Sequence, residues 1–264
     1  MGNAVRSEFL KFFTTRLWWG MAIGIFVAGG LFAGFFAWAM SSGGATDQPG
    51  APQGTPTQIA NTVYTSGMGI GYLLLLTIGV MAIGSEYRHK TITSTFLSTP
   101  QRIKAMLAKV VALMGLGVFY GLIAIIGSVG VGASVLSLLG LEAFPSSEIF
   151  RTMALSLLVL GLWALIGLGV GILIKNQVAA LLVGVGVAWI VEPLAGLLLS
   201  FWSWGAQHIV QYLPSQATSA VVNSVTQGPQ VARLEWWAAA LVLAAYAAVL
   251  SGLGIWRVVR EDVS

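Results

Sequence analysis

Six runs of about twenty or more apolar residues divide this chain, and no other feature restricts its fold as strongly. A helix needs about 20 such residues to cross the hydrocarbon core of a bilayer. On that criterion the sequence predicts spans over 17–40, 61–84, 109–139, 150–174, 178–200 and 236–256. The third is longer than a bilayer requires, and Gly115, Gly117, Gly121, Gly127, Gly130 and Gly132 would let it tilt or bend. Charged residues make up 8% of the 264 positions, against about 25% in a soluble domain. So few charges cannot coat a water-soluble globule of this size, and lipid must solvate most of the surface. The expected fold is therefore an all-α membrane protein, a single transmembrane domain over residues 1–264.

The formal net charge of +4 does not point to nucleic acid, because the bases are scattered at the ends of apolar runs and form no patch. The run Leu17 to Met40 follows Arg6, Lys11 and Arg16 and contains Ala37-Trp38-Ala39, in the manner of a signal peptide. It exceeds the 7–15 apolar residues of a signal sequence and reads as a retained span. With no cysteine in the chain, disulfides and thiolate metal sites are excluded.

Charge also orients the spans. With both termini in the cytoplasm, the inner segments hold Arg6, Lys11, Arg16, Arg88, Lys90, Arg102, Lys104, Lys109, Lys175, Arg257 and Arg260. Of the thirteen Lys and Arg only Arg151 and Arg233 then lie outside, together with the acids Asp47, Glu142, Glu148 and Glu235. The positive-inside rule selects this topology, and the expected location of the multi-pass chain is the plasma membrane. Polar, Gly- and Pro-rich stretches at 41–58 and 140–148 are the outer loops.

Two further segments carry structure without spanning. Over 2–16, Val5, Phe9, Phe12 and Phe13 share a helical face while Ser7, Glu8, Lys11 and Thr14 point elsewhere. That pattern predicts an amphipathic helix lying flat on the inner leaflet. The segment 201–235 is too apolar for a free loop, yet Pro214, Pro229 and polar residues interrupt it. Short helices dipping into the outer leaflet fit it, provided protein covers their broken backbone. Phe201, Trp202, Trp204, Trp236 and Trp237 stand where an interfacial aromatic belt belongs.

Catalytic chemistry has little to stand on. The only histidines, His89 and His208, fall on opposite sides of the predicted membrane. No metalloprotease or serine-hydrolase motif occurs, and none of Lys11, Lys90, Lys104, Lys109 or Lys175 follows a glycine, as a phosphate-binding loop requires. The expectation is a chain that is not an enzyme. Glu192, followed by Pro193, is the one ionisable residue inside an apolar run. Two readings stay open: a structural carboxylate pairing with Arg151, Arg233 or backbone donors, or a candidate outer gate.

The connector 85–108 between spans two and three is about five times longer than a simple link needs. Ile92, Phe96 and Leu97 recur at i, i+4 and i+5, the apolar stripe of a short helix. Thr99-Pro100 then supplies a cap and a first-turn proline for a second helix, with Ile103, Met106, Leu107 and Val110 on one face. The connector is thus predicted to be a helix–break–helix elbow whose apolar stripe seeks a partner.

Here the residues resemble a family. Glu86-Tyr87-Arg88-His89-Lys90-Thr91, then Leu97-Ser98-Thr99-Pro100 and Ala108-Lys109, are similar to the signature of ABC-type export permeases. This is the class of the bacitracin-resistance and sodium-extrusion permeases, related in fold to the eukaryotic A- and G-class exporters. Their pattern commonly reads E-x-R-x-G-T, a T-P pair with bases, then A-K; Lys90 stands where Gly is usual. Trp189, Glu192-Pro193-Leu194, Leu213-Pro214 and the ending 257–264 extend the resemblance along the chain.

The resemblance implies a permease subunit working as a dimer, with a second copy of the chain as the expected partner, and two separately encoded ATPase subunits that bind ATP and Mg2+. It makes 85–108 the coupling segment, with Glu86, Tyr87, Arg88, Thr91, Ile92, Phe96 and Leu97 at the ATPase. It makes the N-terminal helix, through Phe9, Phe12 and Phe13, a connecting helix touching the same partner. Spans two and five would line the route for an amphipathic drug, peptide or lipid. The alternative is a membrane-embedded sensor or accessory protein that binds a cytoplasmic partner and moves no substrate.

Overall fold

The computed structural model describes residues 1–41, 55–98, 101–224 and 233–260, and among these it contains helices and no strand. In chain order they are α1 (Gly2–Phe13), α2 (Leu17–Ser41), α3 (Pro56–Thr65), α4 (Met68–Arg88), α5 (Ile92–Ser98), α6 (Arg102–Leu138), α7 (Glu148–Leu173), α8 (Gln177–Gly186), α9 (Glu192–Ser200), α10 (Ser203–His208), α11 (Pro214–Val221) and α12 (Trp236–Arg260). A π-helical turn, Val187–Val191, joins α8 to α9, and a 3-10 turn, Val210–Tyr212, precedes α11. Six of these stretches are long and apolar enough to cross a membrane: Leu17–Met40, Pro56–Arg88, Arg102–Leu138, Glu148–Leu173, Gln177–Ser200 and Trp236–Arg260. The multi-pass membrane character expected from the apolar runs is therefore present.

Several boundaries differ from the sequence reading, each for a local reason. The second span begins at Pro56, inside the stretch taken as an outer loop. Thr55 accepts from the Gln58 N–H through its hydroxyl, and Gln58 Oε1 accepts from the Thr55 N–H, a reciprocal cap with Pro56 in the first turn. That span is interrupted at Ser66–Gly67, so it is built from α3 and α4. The elbow's second helix and the third span are one continuous helix of 37 residues, about 55 Å long and well beyond a ~30 Å core. Its expected cap at Thr99-Pro100 lies outside the described residues, as does Pro229.

The bundle is assembled around α7. It packs against α4, α6 and α12, while α2 lies along α6. In the fourth span 78% of the most apolar stretch is buried within the chain, against 22% in the fifth. A helix apolar on every side belongs in the middle of a bundle, and glycine lets its neighbours come close. A Cβ on Gly167 would lie 2.1 Å from the Leu76 carbonyl oxygen, and one on Gly79 would lie 2.0 Å from that of Ala164. The α4–α7 contact is backbone on backbone, the small-residue mode of membrane helices.

Both described termini lie at one end of this bundle. Arg102 Nη1 donates to the Val258 carbonyl at 3.3 Å, joining the start of α6 to the end of α12. Arg257 Nη1 donates to the Leu173 carbonyl at 3.3 Å, joining α12 to the end of α7. The elbow sits at this same end.

Candidate functional site

The elbow is shaped first by how α4 stops. The Lys90 N–H donates to the Tyr87 carbonyl at 3.2 Å and the Thr91 N–H to the Glu86 carbonyl at 3.0 Å. This pair of bonds closes a helix by putting one residue in the left-handed region, usually Gly. That residue is Lys90, with φ +55°. The same closure ends α6 with Gly140 at φ +74° and α11 with Asn223 at φ +47°. Gly carries no penalty there and Asn a small one, so Lys90 is the strained member of the three.

After this turn α5 folds back, and its apolar stripe divides. Ile92 and Phe96 are buried in the chain's own core, while Leu97 is 77% exposed. The Arg102 guanidinium lies over the Phe96 ring, 5.4 Å from its centroid, and seals it. The expectation that the whole stripe seeks a partner is therefore corrected: α6 and its neighbours already cover two of its three residues, and Leu97 is the apolar group left to the outside. Tyr87 is half-buried, and Arg88 and Thr91 are exposed.

Beneath the elbow lies a cluster of four charges that the sequence did not reveal. Lys109, 1% exposed, donates to Glu8 Oε2 at 2.7 Å, to Glu86 Oε1 at 2.7 Å and to the Ala82 carbonyl at 3.2 Å. All three protons of its ammonium are thereby used. Lys11 donates to Glu8 Oε1 at 2.7 Å and to Glu86 Oε1 at 2.8 Å. Two acids and two bases make the cluster electroneutral, which is how charges tolerate burial. Burial by itself would lower the Lys11 pKa, but its bonds to Glu8 and Glu86 outweigh that and hold it above the usual lysine value. Glu86 Oε2 is buried without a hydrogen-bond partner.

The cluster fixes α1 by one face, and the aromatics fix it by the other. The Phe9 ring lies over Gly115, where an added Cβ would meet it at 2.6 Å. Phe12 meets Tyr120 edge-on at 6.0 Å and Phe13 meets Phe119 at 5.5 Å. Tyr120 Oη in turn donates to the Trp18 carbonyl at 2.9 Å. Phe9, Phe12 and Phe13 are thus laid on α6, not left free for lipid alone. An open cleft of about 510 Å³ separates α1 from α5, lined by Asn3, Ser7, Glu8, Lys11, Ser94 and Thr95.

Toward the other end, the fifth span changes pitch at Glu192. The π turn places the Glu192 N–H on the Val187 carbonyl, and Pro193 follows with no N–H to give. Glu192 is buried, and its Oε1 accepts from the Ser215 N–H in the first turn of α11. A carboxylate there satisfies a free amide and complements the helix dipole. Among the described residues it is thus a backbone N–H, not Arg151 or Arg233, that bonds this carboxylate. Arg151 instead approaches Glu148 at 3.5 Å and lies over Trp236. Arg233 donates to the Ser224 carbonyl at 2.8 Å and to that of Ser219, where burial lowers its pKa.

Trp163 Nε1 donates to Thr218 Oγ1 at 3.0 Å while its ring stacks on Tyr72 at 4.4 Å. Together these contacts seat α11 against α7 and α12, with Ala217, Thr218, Ala220 and Val221 buried. The inward face of this short helix is therefore covered by protein. The two candidate regions, the elbow and Glu192–Pro193, are not brought together.

Among the described residues no group of three or more His, Asp or Glu converges on a point. A scan against protein-family models finds no match for this chain, and no curated protein matches it.

Proposed function

We propose that this chain is the membrane subunit of an ATP-driven exporter of the ABC-type permease class, coupled through its elbow to a separate ATPase. The observation that carries this reading is mechanical. Between the second and third spans stands an elbow clamped to the bundle by a buried charge cluster, with Leu97 and a run of polar residues facing outward. A link of only topological purpose needs no such bracing. A lever that transmits force from a partner does, because a loose elbow would absorb the stroke.

Three further observations support the reading. The position at which the permease signature usually has Gly is Lys90, whose backbone has the positive φ that glycine serves best. The N-terminal helix shares the charge cluster with the elbow, so a partner could address both as one body. Finally, the fifth span is covered over 22% of its apolar stretch, which leaves most of it for lipid or for a second copy.

On this reading the ATPase holds ATP and Mg2+, two copies of the chain enclose the route, and both termini face the cytoplasm of a plasma-membrane protein. The seating of α11 by Glu192 makes that residue and Pro193 the place where inner motion would reach the outer end. The substrate class is amphipathic: a drug, peptide or lipid. The test is reconstitution of the chain with its co-purifying ATPase in vesicles. ATP-dependent movement of a fluorescent amphipath, absent in the Leu97→Asp variant, is expected. Hydrolysis without movement of any amphipath would favour the sensor alternative.

A further inference from the structure

The turn at the end of α4 raises a question that helix capping does not answer: why a lysine occupies it. Glycine would close α4 with the same two hydrogen bonds and without strain. Strained backbone persists where the side chain or its setting gives something in return. Lys90 is exposed, and Arg88 and His89 beside it are exposed as well. At this end of the described chain the acids are Glu8 and Glu86, and both are consumed by Lys11 and Lys109. The tip therefore presents positive charge that no described acid offsets.

The tip also projects. Gly84 packs on Gln177, the first residue of α8, so the α7–α8 turn lies level with Gly84. From there α4 continues for four residues to Arg88, roughly 6 Å at 1.5 Å per residue. Arg88, His89 and Lys90 thus stand beyond the neighbouring turn, with exposed Leu97 on the returning helix. A protruding cationic knob is complementary to a carboxylate-lined recess in a protein.

We propose that Arg88, His89 and Lys90 form a cationic docking tip for a carboxylate-rich surface of a protein partner, and that Lys90 is retained in a strained turn for its ammonium group. The inference deepens the exporter reading by giving the chemistry of the partner's surface, and it rests on that reading only for the partner's identity.

The experiment uses the full chain in nanodiscs of zwitterionic lipid, with a fluorescent decaglutamate peptide as the probe. Four proteins are compared: the unaltered chain, Lys90→Gly, Lys90→Arg and Lys104→Gln, the last removing an equal charge from exposed α6. Lys90→Gly is expected to unfold at a higher temperature and yet bind the peptide about two- to fivefold more weakly, the range of one exposed ion pair. Lys90→Arg retains binding, Lys104→Gln changes it less than Lys90→Gly does, and added salt abolishes the difference.

If Lys90→Gly is stabilised and binds decaglutamate as well as the unaltered chain, Lys90 is only a helix cap and the proposal falls. It also falls if the peptide does not bind while phosphatidylglycerol vesicles do in a Lys90-dependent way, since the tip then meets lipid. If no ATPase accompanies the unaltered chain, the exporter reading fails, and the decaglutamate comparison still decides the tip.

Discussion

A left-handed backbone at a residue other than glycine costs roughly 1–2 kcal/mol, and Lys90 holds one at φ +55°. Replacing it with glycine should raise stability by about 1 kcal/mol, part of the relief being offset by the freer unfolded chain. Thermal unfolding in detergent measures this. The charge cluster gives a prediction of opposite sign. Lys109→Met removes the central ammonium from Glu8 and Glu86 and should cost about 3–5 kcal/mol, the usual result of breaking a buried pair. Exchanging the charges of Glu86 and Lys109 alone should not restore the loss, because Glu8 and Lys11 would then face like charges. Exchanging all four should restore most of it. The pH dependence follows from Lys11, whose pKa is raised in the folded chain. Its contribution is fully present below about pH 10.4, the unfolded lysine value, and is lost as pH rises through the folded value. The difference in unfolding temperature between the chain and Lys11→Met should therefore be level through neutral pH and shrink only above about pH 10.

Among the elements, the elbow separates what periodicity shows from what it hides. A stripe at i, i+4 and i+5 reveals a helix over 92–98 and says that one face is covered, but not by which molecule. Phe96 proves to be covered by the chain itself, so Phe96→Asp should unseat α5 and lower stability. Leu97→Asp should leave stability unchanged within about 0.5 kcal/mol, as a surface change does, and act on a partner alone. Co-retention of the ATPase and unfolding temperature, measured for both variants, distinguish the two effects. The start of the second span was missed: Thr55, Pro56 and Gln58 carry a capping signal, but the polar composition of 41–58 reads as a loop. The charge cluster was not legible, since Lys11 and Glu86 are 75 positions apart and Lys109 and Glu8 are 101 apart. The packing of α1 and α4 against α6 brings such positions together, and α4 is itself held against α7 by a contact that glycine permits. Gly167→Ala places a methyl group against the Leu76 carbonyl and should destabilise by about 1–3 kcal/mol. Gly69→Ala, with open space around the new methyl group, should not destabilise.

At the scale of the molecule, six spans and their approximate limits were readable because the lipid solvent leaves little freedom in composition. How the spans pack was not readable from hydropathy, since the central fourth span and the peripheral fifth are almost equally apolar in sequence and differ in burial, 78% against 22%. The central claim is that the elbow is the point where a separate motor takes hold. The chain has no cysteine, so Leu97→Cys supplies a single thiol at the exposed site of α5. With that thiol carrying a short photocrosslinker in native membranes, a covalent adduct to an ATP-hydrolysing chain is expected, in lower yield when Lys90→Gly is added. Adducts to lipid alone, with ATP hydrolysis absent from the purified complex, would contradict it.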